Sequence, residues 1–505
     1  MVPRPPSAET EIGDELAAVR PALAARYARA LPGARAAVLT RLWRALAYEP
    51  LPWVTGRERV RDGLVLRLCD GRALSGPAAD PYATAAYVSE VRLGGARYAD
   101  PARLTAALAV PHGEAFAAEL AHSVASLALS RASRPAPAEH HPNGWPATDW
   151  EWEQRVVDGH PFHPNCRSRP GFSVAEQLAY GPEHGPLVEL RLLPAPESEC
   201  VVSGVWPDEF RAGRDLLVPV HPWQARHVLK RAGEGAGLVA HPLMSLRTLA
   251  LPHGPHVKTA LSARLTSSVR DISVGSVAAS AALSDFAGEL AARTDGLLCF
   301  TRTLGAAAAG TPDLAALWRE SPRAYAEPGE QVLPVAALAT TAWPDSPAWT
   351  ARFARLALTA GLRLLELGVA LEAHGQNLLV VLSASGAPLR LVYRDLADIR
   401  VSPARLRRHG VPVPELPERN LTDDPVALRR KLFGSLVAGA LAGTAGSGPA
   451  LRAAVATALE DLPDSPDVRA LREEPWPAKA LTLMRLSPGR AGDLWTGLPN
   501  PVRGG

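Results

Sequence analysis

The chain has 505 residues, enough for roughly two to four domains. Hydrophobic residues make up 47% and charged residues 21%, which excludes a disordered chain and permits large cores. A formal net charge of +3 is too small to imply a nucleic-acid partner, and no apolar run reaches the roughly 18 residues of a membrane span.

The cysteines Cys69, Cys166, Cys200 and Cys299 are scattered, with no Cys-x-x-Cys pair. Neither a zinc site nor a disulfide framework is indicated, and a reducing cytoplasmic setting fits. The start, Met1-Val2-Pro3-Arg4-Pro5-Pro6, lacks the apolar core of a secretion signal.

Residues 14–48 are rich in Ala, Leu and Arg with helical periodicity. Residues 60–68 have strand character, Asp80-Pro81 opens a new helical stretch, and 102–130 form one or two helices. The segment 134–138, Arg-Pro-Ala-Pro-Ala, is a surface connection. A first, mostly helical lobe therefore spans 1–150. Residues 151–330 are mixed α/β, with strands at 216–220 and 256–265. The third part, 331–505, begins with an apolar helix at 348–374 that leads directly into a polar motif. A hairpin follows, with Leu378–Leu382, a turn at Ser385-Gly386 and a return strand at 389–393. The remainder is helical, and no repeat of solenoid period is present. The fold class is α+β.

Four polar clusters interrupt this pattern. The first is Gly159-His160-Pro161-Phe162-His163-Pro164-Asn165-Cys166-Arg167-Ser168-Arg169-Pro170-Gly171-Phe172. A residue before proline avoids the helical region, so the two His-Pro pairs hold the chain extended. His160, His163, Arg167 and Arg169 then suit an anion. The plainer alternative is a rigid surface loop with solvated arginines. A zinc site at His160 and His163 lacks a third ligand at a familiar spacing.

The second cluster, His221-Pro222-Trp223-Gln224, follows a short strand. Trp223 as a packing residue and His221 as a turn cap explain it without chemistry. The third starts with Ser245-Leu246-Arg247-Thr248 and continues from Lys258 to Arg270. On a strand, Val257, Thr259, Leu261 and Leu265 face one side, and Lys258, Ser262 and Arg264 the other. Thr266-Ser267-Ser268 meets Asp271 in a capping pattern that would start a helix. Free N–H groups at such an end, with the hydroxyls and Arg270, form a phosphate site. An ordinary capped helix with solvated charges is the alternative.

The fourth cluster is Glu372-Ala373-His374-Gly375-Gln376-Asn377, to which the hairpin returns Arg394-Asp395. Glu372, Gln376, Asn377 and Asp395 supply the hard oxygen ligands magnesium prefers. His374 is placed to orient a phosphate or a metal-bound water.

These clusters, in this order, resemble the IucA/IucC family, the NRPS-independent siderophore (NIS) synthetases. The matching elements are 160–171, His221 to Gln224, Ser245 to Thr248, Lys258 to Arg270, His374 to Asn377, and Arg394-Asp395. Arg167 stands where the family has lysine, and the chain is short toward its C-terminus. The resemblance implies a three-lobed cupped hand of thumb, fingers and palm, with a kinase-like palm, commonly dimeric. It implies ATP and Mg2+ as cofactors. A carboxylic acid, citrate or a citryl derivative first, would be adenylated with release of pyrophosphate. An amine or hydroxyl acceptor would then displace AMP.

By the same resemblance His163, Lys258, Arg270 and His374 would be catalytic. Ser245, Arg247, Thr248, Lys258, Thr266, Ser267, Arg270, Gln376, Asn377 and Asp395 would hold ATP. His160, Arg167, Arg169, His374 and Arg394 would hold the substrate, and Glu372, Asn377 and Asp395 the metal. The partners implied are small molecules and a second copy of the chain. No covalent enzyme nucleophile is needed, so the cysteines should be replaceable.

Two other readings stand beside this one. A small-molecule kinase with a protein-kinase-like palm would also use a hairpin and a metal-binding Asp, but here the Asp base before Asn and a Gly-rich phosphate loop are missing. A non-catalytic binder of an anion or a ferric siderophore would need the basic clusters but not Glu372 and Asp395.

Overall fold

The computed structural model describes residues 7–134, 145–231, 237–265, 268–490 and 492–503. Among these, no helix is long and apolar enough to cross a membrane. Helices and antiparallel sheets are mixed along the chain, an α+β arrangement.

The helical pattern at 14–48 resolves into Ala8–Val19 and Ala24–Tyr48. The 102–130 pattern resolves into Pro101–Leu108 and Gly113–Ser133. Local chemistry fixes their starts: Ser7 accepts from the Thr10 N–H, and Asp100 accepts from Ala102 and Arg103 ahead of a first-turn proline. Leu42, Trp43, Phe116 and Leu120 share one core with Leu66 and Leu74 of a five-stranded antiparallel sheet. Residues 60–68 are not one strand. Val60 pairs with Gly63 across a turn, joining Val54–Val60 to Gly63–Leu68. Asp80-Pro81 opens no helix either. The Asp80 carboxylate accepts from Tyr82 N at 2.9 Å and from Gly448 N at 2.8 Å, so it caps a helix far along the chain. Of the expected connection at 134–138, residues 135–138 lie outside the described residues.

A nine-stranded antiparallel sheet follows, with His256–Thr259 at its centre between Ala315–Arg319 and Thr248–Ala250. The expected strand at 256–265 breaks at Ala260. Leu261–Leu265 leaves the sheet and pairs instead with Ser268–Arg270. Lys258 and Ser262 therefore do not share a face, and Ser262 bonds to Gln224 and Asp313. The capping pattern at Ser268 and Asp271 is overruled by this pairing. The next helix begins at Val274, with Ser273 accepting from Ser276 N. Cap preferences are local and weak, and here tertiary pairing outweighs them.

A third core gathers around the helix Pro347–Leu367 and a four-stranded sheet. The hairpin is formed as expected, by Leu378–Leu382 and Pro388–Tyr393. Leu298–Phe300 joins it as a parallel strand, and Gln331–Pro334 pairs on the other side. The helix does not run to 374. Gly368 ends it at φ 106°, where an added Cβ would sit 2.7 Å from the Cβ of Arg405. The last part is not all helical: Trp476–Lys479 pairs with Trp495–Leu498.

Candidate functional site

Segments from all three cores border one cavity of about 1150 Å3. Its walls include 158–163, 244–248, Lys258, 270–273, Arg319, 374–377 and 395–398. Of the residues singled out in the sequence, His160, His163, Arg167, Arg169, Ser245, Arg247, Thr248, Lys258, Arg270, Glu372, His374, Gln376, Asn377 and Asp395 all line it. Arg394 does not, and Thr266 and Ser267 lie outside the described residues.

Lys258 reaches the cavity from the central strand, between Val257 and Thr259, which are fully buried. Its Nζ donates to both Asp395 carboxylate oxygens at 2.8 Å, and Arg319 stands 3.7 Å from the same carboxylate. Burial alone would raise the Asp395 carboxyl, but Lys258 and Arg319 outweigh it and hold it well below the usual range. Burial pulls the Lys258 ammonium down to about 7, with Asp395 opposing. Asp395 sits at φ 76°, a left-handed conformation Asp tolerates better than most residues.

Arg247 donates to the carbonyls of Arg270 and Asp271 at 2.6 and 2.7 Å. Burial lowers it to about 10, so it stays cationic at neutral pH. Ser245 accepts from Thr248 N at 3.1 Å, which closes that turn.

In the loop 159–172, His163 is 4% exposed and neither ring nitrogen has a partner. Burial first, then Arg485 and Arg41, lower it to about 3, so its imidazole is neutral at pH 7. His160 Nδ1 accepts from Phe162 N at 3.2 Å. Arg167 and Arg169 spend most of their donors inside the protein. Both bond to the buried Glu183 carboxylate, and Arg167 also bonds to the carbonyls of Val156 and Val157. One nitrogen of each remains unpartnered, Arg167 Nε and Arg169 Nη1.

The turn 374–377 is held by its own backbone. Asn377 N and Leu378 N both donate to the His374 carbonyl at 3.0 Å, and Gln376 N donates to His374 Nδ1 at 3.3 Å. Gly375 fits closely there, since a Cβ would lie 3.0 Å from Ala336 N. Glu372 meets Lys479 at 2.9 Å and Lys431 at 3.3 Å. Burial opposes its ionisation, but these two lysines lower it to about 2. Arg394 is turned inward, donating to Glu153 at 2.6 Å and to the Gln376 carbonyl at 3.0 and 2.8 Å.

His221 caps a turn and Trp223 packs, as the plainer reading expects. His221 Nδ1 accepts from Trp223 N at 3.1 Å, and Trp223 stacks on Phe172 at 4.9 Å. Sequence reasoning missed Glu153, Glu183, Arg319, Lys431 and Lys479, none of which falls in a recognisable motif spacing.

Among the described residues, no group of three His, Cys, Asp or Glu side chains is arranged to hold a metal ion by itself. Glu372, Asn377 and Asp395 offer two carboxylates and an amide. These are the donor types magnesium takes, but here Glu372 is ion-paired with Lys479 and Lys431 and Asp395 with Lys258, so the ion would have to displace those lysines.

The IucA / IucC family model matches residues 148–340, and the model described as "Ferric iron reductase FhuF-like transporter" matches 347–448. None of the four cysteines falls in 347–448, so that segment has no thiolate ligands for an iron–sulfur cluster. The citryl-spermidine/3,4-dihydroxybenzoyl-citryl-spermidine:spermidine ligase of Bacillus anthracis is 25% identical, covering 49% of this chain and 51% of that one. The N(2)-citryl-N(6)-acetyl-N(6)-hydroxylysine synthase of Vibrio mimicus is 31% identical over 24% of this chain and 26% of its own. In sequence, the chain spans about half the length of the first of these curated relatives. Among solved structures, the petrobactin biosynthesis protein AsbB of Bacillus anthracis superposes with a TM-score of 0.77 at 19% identity, covering 95% of this chain and 98% of that one. ATP-bound aerobactin synthetase IucA of Klebsiella pneumoniae gives 0.70 at 20% identity, covering 94% and 99%.

Proposed function

We propose that this chain, which belongs to the IucA/IucC family, is an ATP-dependent ligase of siderophore biosynthesis. It would adenylate a carboxylic acid and pass the acyl group to an amine or hydroxyl. The observation that carries this reading is the cavity itself. The buried Lys258 and Arg319 and the half-buried Arg247 stand in one chamber with the carboxylates Glu372 and Asp395 and the neutral His163.

Chemistry at phosphorus needs charge compensation and alignment more than a covalent group. Lys258, Arg247 and Arg270 would hold the phosphates, with Ser245, Thr248, Gln376 and Asn377 fixing the nucleotide. A carboxylate oxygen of the donor attacks the α-phosphorus, and the bond to pyrophosphate breaks. The acceptor's lone pair then attacks the acyl carbon, AMP leaves with the C–O electrons, and the acceptor loses a proton. His374, held unprotonated by burial, would take that proton, while His163, at about 3, is too weak a base for it and would serve only as a hydrogen-bonding group. Magnesium at Glu372, Asn377 and Asp395 would compensate phosphate charge when bound.

The names of the relatives favour a citryl donor and a polyamine or amino-acid-derived acceptor. Division into lobes at 1–150, 151–330 and 331–505, a cupped-hand shape with a kinase-like palm, a homodimer and a cytoplasmic setting belong to the same proposal. It is tested by ATP–pyrophosphate exchange over a panel of carboxylic acids. Exchange with citrate or a citryl amide supports the reading, and no exchange with any acid, citryl intermediates included, removes it.

A further inference from the structure

The helix Asp149–Gln154 precedes the His160/His163 loop and is pinned on two sides. Asp149 accepts from His256 Nε2 at 2.8 Å and from Ser321 at 3.0 Å. Trp150 stacks on His241 at 4.3 Å. The helix therefore stands in a fixed place against the central sheet, and Glu153 projects from it with only 1% exposure.

Among the described residues, each Glu153 oxygen has one partner, and the two partners belong to different walls of the cavity. Oε2 accepts from Met244 N at 2.9 Å, the residue that opens the 244–248 loop carrying Ser245, Arg247 and Thr248. Oε1 accepts from Arg394 Nη1 at 2.6 Å. Arg394 in turn places Nε and Nη2 on the Gln376 carbonyl, inside the 374–377 turn. Gln376 and Ser245 both face the cavity, while Arg394 does not. A buried ion pair by itself adds little stability over an apolar pair of similar volume. A carboxylate that also accepts a loop N–H fixes geometry as well as charge.

We propose that Glu153 is a positioning residue whose single carboxylate sets the separation of the 244–248 and 374–377 loops. The spacing of the groups that grip a nucleoside triphosphate follows from it. Only the identity of that ligand rests on the ligase reading. The clamp itself stands on the contacts.

The test uses the full chain with Glu153→Gln and Arg394→Gln, checked for folding by circular dichroism. Amide hydrogen exchange is read by mass spectrometry, and MgATP binding by calorimetry. Glu153→Gln should speed exchange at least tenfold at Met244 and across 374–377 together, while the strand His256–Thr259 keeps its rate. Arg394→Gln should speed 374–377 and leave Met244 within threefold. The MgATP Kd of Glu153→Gln should rise at least tenfold at a temperature where the variant is fully folded. Unchanged exchange at either loop, or an unchanged Kd, overturns the proposal, because a merely structural ion pair would lower only the melting temperature. If Glu153→Gln does not fold, Glu153→Asp keeps the charge but is one methylene short. Wild-type exchange in that variant overturns the proposal equally. If the unmutated chain binds no MgATP, the ligase reading fails, and the exchange measurements still decide the clamp.

Discussion

Lys258 Nζ lies 2.8 Å from each carboxylate oxygen of Asp395, so a strand of the central sheet and the end of the later hairpin meet through one ion pair. Arg319, 7% exposed at its side chain, completes the group at 3.7 Å. Two cations thus share one carboxylate at the cavity wall, a surplus of positive charge that suits an anionic ligand. Asp395→Asn would leave both cations without an anion. The Asp395 side chain is 29% exposed, so its loss from this half-buried pair costs on the order of 1 kcal/mol, less than the penalty for a fully buried pair. Urea unfolding should show that loss, and added triphosphate should restore more stability to Asp395→Asn than it adds to the unmutated chain. Equal gains would contradict the account.

Stability should fall on acidification in two windows. His122 and His184 are held at about 4, and His163 and His221 at about 3, mainly by burial. Their folded values lie below the ordinary 6.5, so the unfolded chain binds more protons. Their contribution is full above pH 6.5 and is lost as pH drops toward those values, by on the order of 1 kcal/mol per histidine per pH unit. Glu372 adds a second window. Lys479 and Lys431 hold it at about 2 against an ordinary 4.5, so its share is present above pH 4.5 and lost between there and 2. Denaturant melts from pH 7 to 3 check this. Glu372→Gln should lessen the loss below pH 4.5, where His163 and His221 still titrate, and leave the upper window unchanged.

Cys166 lines the cavity, and its Sγ lies 2.9 Å from Arg41 Nη1. Serine keeps an acceptor there, and the proposed chemistry uses no thiolate. Cys166→Ser should retain activity within about threefold, a shift of less than 1 kcal/mol in barrier. Loss of more than tenfold in a folded variant would mean that the thiol takes part.

Local chemistry made parts of the site legible. The turn at His374-Gly375-Gln376-Asn377 and its hairpin are set by residues within a few positions of each other, and the continuous apolar run Leu378–Leu382 is readable. The Lys258 loop was readable in composition but not in conformation. Ser268 looks like a helix cap, and only its pairing with Leu265 makes it a strand residue. Arg394 was expected to face a substrate and is instead a buried brace. Its partner Glu153 lies 241 residues away, and Glu372 and Lys479 are 107 apart. No local pattern encodes such pairs, since the fold alone brings them together.

The proposed reaction is transfer of an adenylyl group from ATP to a carboxylate. The most direct measurement is hydroxylamine trapping with ATP, magnesium and a panel of carboxylic acids that includes citrate and citryl monoamides, reading nucleotide products alongside hydroxamate. Adenylyl transfer should give a hydroxamate together with AMP and pyrophosphate, dependent on one class of acid and abolished in Lys258→Met. ADP as the nucleotide product would contradict it and point to phosphoryl transfer instead.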